Sequence, residues 1–181
     1  MTLNPAPATY AERGALSGLF QHYVGRVLTQ VKYGNLDPHR DSSTVPLVDC
    51  VDMALELHFG DLILRFDWAI DGFDEGLAVS FERGMPDVWV HQSMIATPHW
   101  RGFDGKCLSG VEFVWHSLER VLLLGVTLLL DDSSVTIALG DVDASGCLGY
   151  QPDELIVVFD PDSASRYLAS VSALRQNLEE W

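Results

Sequence analysis

The residue types best suited to chemistry or recognition crowd into one stretch: Trp89, His91, His99, Trp100 and Arg101 fall within thirteen residues. Imidazoles ligate metals and move protons near neutral pH, and Trp and Arg are the types that most often anchor protein interfaces. His91 and His99 are eight apart, and His116 lies beyond a strand. Three imidazoles would therefore meet only if the fold gathered them. No carboxylate or thiol stands beside them at ligand spacing, so neither a metal nor a cofactor is expected. The plainer alternative makes the two Trp residues a plug at the seam between two halves of the protein.

The other candidates are weaker. Asp131-Asp132 sits between two alternating runs, where acids commonly supply turn geometry. Asp141, Asp143, Asp153 and Glu154 form an acid cluster without the regular spacing of a calcium loop. The chain has no Gly-x-Ser-x-Gly, no phosphate-binding Gly-rich loop, no His-Glu-x-x-His and no dinucleotide fingerprint. This points away from an enzyme. Cys50, Cys107 and Cys147 are odd in number and far apart, which favours buried thiols over a disulfide framework.

The elements that must position these residues read as two copies of one plan. Gly25-Arg26-Val27-Leu28-Thr29-Gln30-Val31-Lys32-Tyr33 is answered by Gly105-Lys106-Cys107-Leu108-Ser109-Gly110-Val111-Glu112-Phe113. A hairpin pattern follows in each: Leu55 to Phe66 around Gly60-Asp61, and Val126 to Leu139 around Asp131 to Ser134. Each copy then closes on an acidic pair and an apolar strand ending Phe-acid, at Phe81-Glu82 and Phe159-Asp160. Val126, Leu128, Leu130, Val135, Ile137 and Leu139 alternate onto one buried face.

These patterns predict a single domain over 1–181, built of repeat one (25–82) and repeat two (105–160). Thr9 and Glu12 predict a capped helix over about 10–23, and the stripe Tyr167, Leu168, Val171, Leu174, Leu178 predicts another over about 162–179. The fold class is α+β, mainly β, with internally duplicated antiparallel units in pseudo-two-fold symmetry. A single closed barrel-like sheet is the alternative.

Twenty-six acids against 11 bases give a formal charge of −15. The bias is even: residues 1–90 hold 13 acids and 6 bases, and residues 91–181 hold 13 and 5. Such a field repels nucleic-acid phosphates and anionic membranes and steers basic partners inward. Hydrophobic content of 48% with 20% charged residues suits a folded domain. No apolar run approaches a membrane span and the first residues lack a signal-peptide pattern, so a cytoplasmic location is expected.

In general character, a small acidic β-rich chain without catalytic motifs, the sequence resembles the immunity proteins that bacteria make against their own polymorphic or contact-dependent toxins. The resemblance implies a non-catalytic protein that neutralises a basic toxin by direct binding. On this reading Trp89, His91, His99, Trp100, Arg101 and Tyr150 are the binding candidates, because they lie where the two copies differ. Trp100 and Tyr150 are the expected anchors, each partly exposed. The alternatives are a small-molecule-binding protein or enzyme with a pocket between the repeats, and a structural module. The sequence leaves the oligomeric state open.

Overall fold

The computed structural model describes residues 6–35, 46–72, 74–81, 90–94, 97–116 and 121–176. The chain begins with a 3-10 turn, Tyr10–Glu12, that runs into α1, Arg13–Phe20. The first half then forms β1 (Gln30–Gly34), β2 (Val48–Val51), β3 (Ala54–Phe59), β4 (Leu62–Asp71) and β5 (Asp74–Phe81). β6 (Val90–Met94) and a second 3-10 turn, Pro98–Gly102, lead into the second half. There β7 (Leu108–His116), β8 (Leu122–Leu130), β9 (Ser133–Leu139), the short pair β10 (Asp141–Val142) and β11 (Leu148–Gly149), and β12 (Leu155–Val158) precede α2, Pro161–Gln176.

The short connections leave no room for crossover helices, and the strands pair antiparallel as that requires. One sheet has the order β5-β4-β3-β1-β6 and the other β2-β12-β9-β8-β7. Each contains a four-stranded meander in which successive strands lie side by side: β1, β3, β4, β5 in one and β7, β8, β9, β12 in the other. The fold is thus mainly β with a helix near each end. Neither sheet closes on itself, so the barrel alternative does not hold.

Both long hairpins fall where the alternation puts them. Phe59 pairs with Leu62 across Gly60, whose φ of 69° is the left-handed conformation a tight turn needs. Leu130 pairs with Ser133 across Asp131 and Asp132, with Asp131 at φ 52°. Asp tolerates this region because its short polar side chain bonds locally. Here its carboxylate accepts the Cys107 N–H at 3.2 Å.

The main core lies between the sheets. Leu55, Leu57, Leu64 and Phe66 meet Val126, Leu128, Leu130, Val135, Ile137 and Leu139, all fully buried. The opposite face of the second sheet is also covered. Leu124, Ala138, Ile156 and Val158 pack under Ala164, Tyr167 and Val171 of α2. A register shift of β7 between Val114 and Trp115 lets Leu123 pair with Trp115 and Gly125 with Val114, leaving Leu124 as an extra residue. This bulge moves the inward-facing set from odd to even positions. A Cβ on Gly125 would stand 3.3 Å from Leu168 of α2, so the glycine admits the helix.

Several elements differ from the sequence-based expectation. The N-terminal helix stops at Phe20 instead of Tyr23, because Gly14 and Gly18 weaken it and Tyr23 turns inward to donate to the Ile63 carbonyl at 2.7 Å. β2 leaves its own half and pairs with β12, Val51 opposite Leu155 and Val48 opposite Val158. The linker between the two units contributes β6, which extends the first sheet beside β1. Of the α2 stripe, Tyr167, Leu168 and Val171 pack as expected; the side chain of Leu174 and all of Leu178 lie outside the described residues.

Each residue of the inter-sheet set is surrounded by side chains from both sheets, so truncation leaves a cavity that cannot collapse freely. Leu128→Ala or Ile137→Ala should each lower stability by about 2–5 kcal/mol, read as a shift of the urea midpoint at constant slope.

Candidate functional site

A lone acid inside an apolar strand must be explained by its partners, and Asp49 in Val48-Asp49-Cys50-Val51 is such an acid. It is fully buried. Three donors converge on its carboxylate: the Tyr33 hydroxyl at 2.7 Å, the Thr97 hydroxyl at 2.8 Å and His99 Nδ1 at 2.8 Å. Because an ionised carboxylate only accepts, Nδ1 of His99 is the donor of that bond. The Leu47 N–H points to Nε2 at 3.4 Å, a long contact from a residue held at φ 62°. Trp100 Nε1 donates to the Tyr33 hydroxyl at 2.6 Å, completing a chain from indole to phenol to carboxylate.

These groups come from separate elements. Tyr33 lies on β1 of the first sheet and Asp49 on β2 of the second, while Thr97, His99 and Trp100 come from the turn that follows β6. That turn therefore closes one open side of the sandwich. α1 closes the other by apolar means: Phe20 stacks edge-on against Phe81 of β5 at 5.4 Å and Phe113 of β7 at 5.3 Å. Around the polar seam, Phe159 makes ring contacts with His99, Trp100 and Phe103 at 5.2, 5.1 and 5.6 Å. Burial, and after it the charge on Asp49, pushes the Tyr33 phenol well above its ordinary range. Tyr33 thus remains a donor throughout the working pH range.

Asp49 and His99 have the orientation of a catalytic acid–base pair, with the carboxylate setting the imidazole tautomer. The outward nitrogen, however, faces a backbone N–H and not a nucleophile among the described residues. The bond between them ties the turn after β6 to β2.

A second set of buried charges lies on β1, β3 and β4, where Lys32, Glu56 and Arg65 are consecutive cross-strand neighbours of alternating sign. Glu56 is almost fully buried and binds Lys32 Nζ at 3.1 Å and His58 Nε2. Arg65 Nε donates to Asp67 at 2.8 Å. Burial raises the Asp67 carboxyl, and Arg65 offsets only part of that. Among the described residues no group of three or more His, Cys, Asp or Glu is placed to hold a metal ion.

The sequence-predicted residues divide accordingly. Trp100 is 3% exposed, so it is not the partly exposed anchor expected of it; its indole fills the seam and its N–H is committed to Tyr33. His99 is half-buried in the same seam, and Arg101, on the same turn, is exposed. His91 lies in β6 with its side chain outside the described residues, and Trp89 lies outside them altogether. Tyr150 is partly exposed, as expected, and donates to Glu75 Oε2 at 3.1 Å. Asp131 and Asp132 act in the turn, Asp132 binding Lys106 Nζ at 2.6 Å. Asp143 spends one oxygen on Ser145 N, Ser145 Oγ and Cys147 N, which holds its carboxyl below the usual range. Of the cysteines, Cys50 is buried as expected, whereas Cys107 is half-buried and Cys147 exposed. Sequence reasoning missed Asp49, Tyr33 and Thr97. The available signal was Asp49 itself, an acid flanked on both sides by apolar residues.

Two results follow from the seam. Asp49→Ala leaves the buried Tyr33 and Thr97 hydroxyls and the half-buried His99 without their acceptor and should cost about 3–5 kcal/mol. Trp100→Ala should cost a similar amount, about 3–5 kcal/mol, through a cavity and the loss of the N–H donated to the Tyr33 hydroxyl. Chemical denaturation reads both; a change below about 1 kcal/mol in either would contradict the seam as described. The carboxyls of Asp67 and Asp143 should titrate on opposite sides of an ordinary aspartate in pH-dependent carbon-13 NMR. Depressed Asp143 favours folding above the ordinary aspartate range and loses that contribution as pH falls. Raised Asp67 has the opposite sign, favouring folding as pH falls through its own titration.

Comparison with protein-family models, curated proteins and solved structures found no match, so a functional reading rests on the chemistry of this chain alone.

Proposed function

We propose that this chain is a non-catalytic binding protein that takes a basic protein partner, acting as an immunity-type neutraliser of a basic toxin. The observation that carries the reading is the charge of −15, spread over both halves of the chain. Such a field accelerates encounter with a basic protein and discourages association with a second copy of itself. The Asp49–His99 pair supports the non-catalytic part, since its hydrogen bonds are used to join the two sheets.

Steering brings a partner near, whereas a stable complex needs a desolvated anchor. The expected Trp100 anchor is buried, which leaves Tyr150. Glu75 lies between Tyr150, which bonds it, and Ile70, its cross-strand partner on the same sheet face. Ile70 is 42% exposed, and exposed Asp71 follows it. An apolar and aromatic pair set among carboxylates suits a basic surface carrying its own apolar contact.

The test pairs this protein with the product of the gene adjacent to its own, since an immunity protein is expected beside its toxin. Surface plasmon resonance should give an association rate that falls as ionic strength rises. Tyr150→Ala should raise the dissociation rate by about thirtyfold, the effect of losing an anchor worth about 2 kcal/mol, and because Tyr150 also packs on the edge of the core, a thermal melt verifies that the variant is folded at the assay temperature. The reading is overturned if no complex forms, or if the complex forms at a rate indifferent to salt.

A further inference from the structure

The first three turns of α2 present Ser163, Arg166, Tyr167 and Ser170 at helical spacing along one side. That side forms one wall of a groove of about 350 Å³, closed opposite by Pro46, Val48 and the Gly146–Leu148 turn. The volume is at the lower end of those that hold small ligands, roughly 300–1,000 Å³. The walls are largely apolar, and among the described residues that line the groove the one full charge is the Arg166 guanidinium, which the Asp160 carboxylate also feels from the start of the helix.

That guanidinium is only partly used. Arg166 Nε donates to the Asp162 carbonyl at 3.3 Å and Nη2 to Ser163 Oγ at 3.1 Å. A guanidinium has five N–H groups in a planar fork suited to two-point binding of an oxyanion. Three N–H groups thus have no partner among the described residues. The two bonds to its own helix also hold the side chain along the groove wall, reducing the rotamer entropy that binding would otherwise cost. Ser163 in turn bonds Asp160, the residue that caps the helix, so the arrangement is tied back to the backbone.

The geometry points to this groove as a binding site for a monoanionic organic acid, with its carboxylate on Arg166 and its hydrocarbon body against Pro46, Val48, Leu148 and Tyr167. The charge of the whole molecule selects among anions. At −15, each further negative charge on a ligand adds repulsion that Arg166 alone cannot offset, so inorganic phosphate and polyphosphates are disfavoured. An apolar body adds burial without adding charge. Binding at this site does not depend on a protein partner.

Octanoate is the probe, with octanol as its uncharged counterpart and inorganic phosphate as the bare anion. Titration followed by amide chemical shifts should show saturable binding of octanoate, with the changes concentrated in residues 146–148 and 163–170. Octanol and phosphate should each bind at least about tenfold more weakly, the difference made by one charge-assisted contact or by the apolar body. Arg166→Gln, at an exposed position, should weaken octanoate about tenfold while leaving octanol unchanged. Ser170→Trp should block both by filling the groove. The proposal is overturned by absence of binding at millimolar octanoate, by equal binding of octanol, or by an Arg166→Gln protein that binds octanoate as the parent does. Should Ser170→Trp misfold, the Arg166→Gln comparison decides the matter alone.

Discussion

A carboxylate with no contact to water is tolerated only where fixed donors replace its hydration, and Asp49 imposes that constraint on this protein. Its three donors come from β1 and from the turn after β6, whereas the acid itself sits on β2. The two sheets and the segment between the two meanders must therefore be in place together before the charge is compensated. Tyr33 has no alternative acceptor as good as Asp49, and Trp100 has Tyr33 as the acceptor for its N–H. Removing Asp49 leaves Tyr33 without its acceptor, and removing Tyr33 leaves Trp100 without its own, which couples the members of the seam.

The two open sides of the sandwich are closed by different physics. Phe20 fills the α1 side through non-directional apolar contact, which many side chains of similar size could reproduce. The Asp49 side is directional, and only particular donors in a particular register satisfy it. Because β2 belongs to the first half in sequence but to the second sheet in space, the polar seam also fixes which strand docks there. A strand placed one residue out of register would turn Asp49 away from its donors and direct Val48 or Cys50 at them.

The covering of the sheets follows their composition. The second sheet reads as near-continuous apolar strands because the first sheet covers one of its faces and α2 the other. The first sheet carries the row Lys32, Glu56, Arg65, so its strands alternate apolar and charged. With 26 acids and 11 bases to place, the fold pairs several of its bases internally, as in Lys32–Glu56 and Arg65–Asp67, and the exterior is left with a strong acidic excess. Arg166 stands out against that exterior because its guanidinium lines a largely apolar groove.

Much of the architecture was legible in the sequence. Alternation placed both hairpins and picked out the six buried residues of β8 and β9, since period-two burial is a local property of an extended chain. The helical stripe placed α2 for the same reason. The docking of β2 on β12 could not be read, because residues more than a hundred apart pair through backbone groups that every sequence possesses. Nor could the role of Trp100. Its type marks it equally as an interface anchor or a core residue, and only the position of Tyr33, contributed by a strand 67 residues earlier, decides that its N–H is spent inside. Local pattern determines which face of an element is apolar. Which polar groups meet depends on long-range packing, and that is where Asp49, Tyr33, Thr97 and His99 become one site.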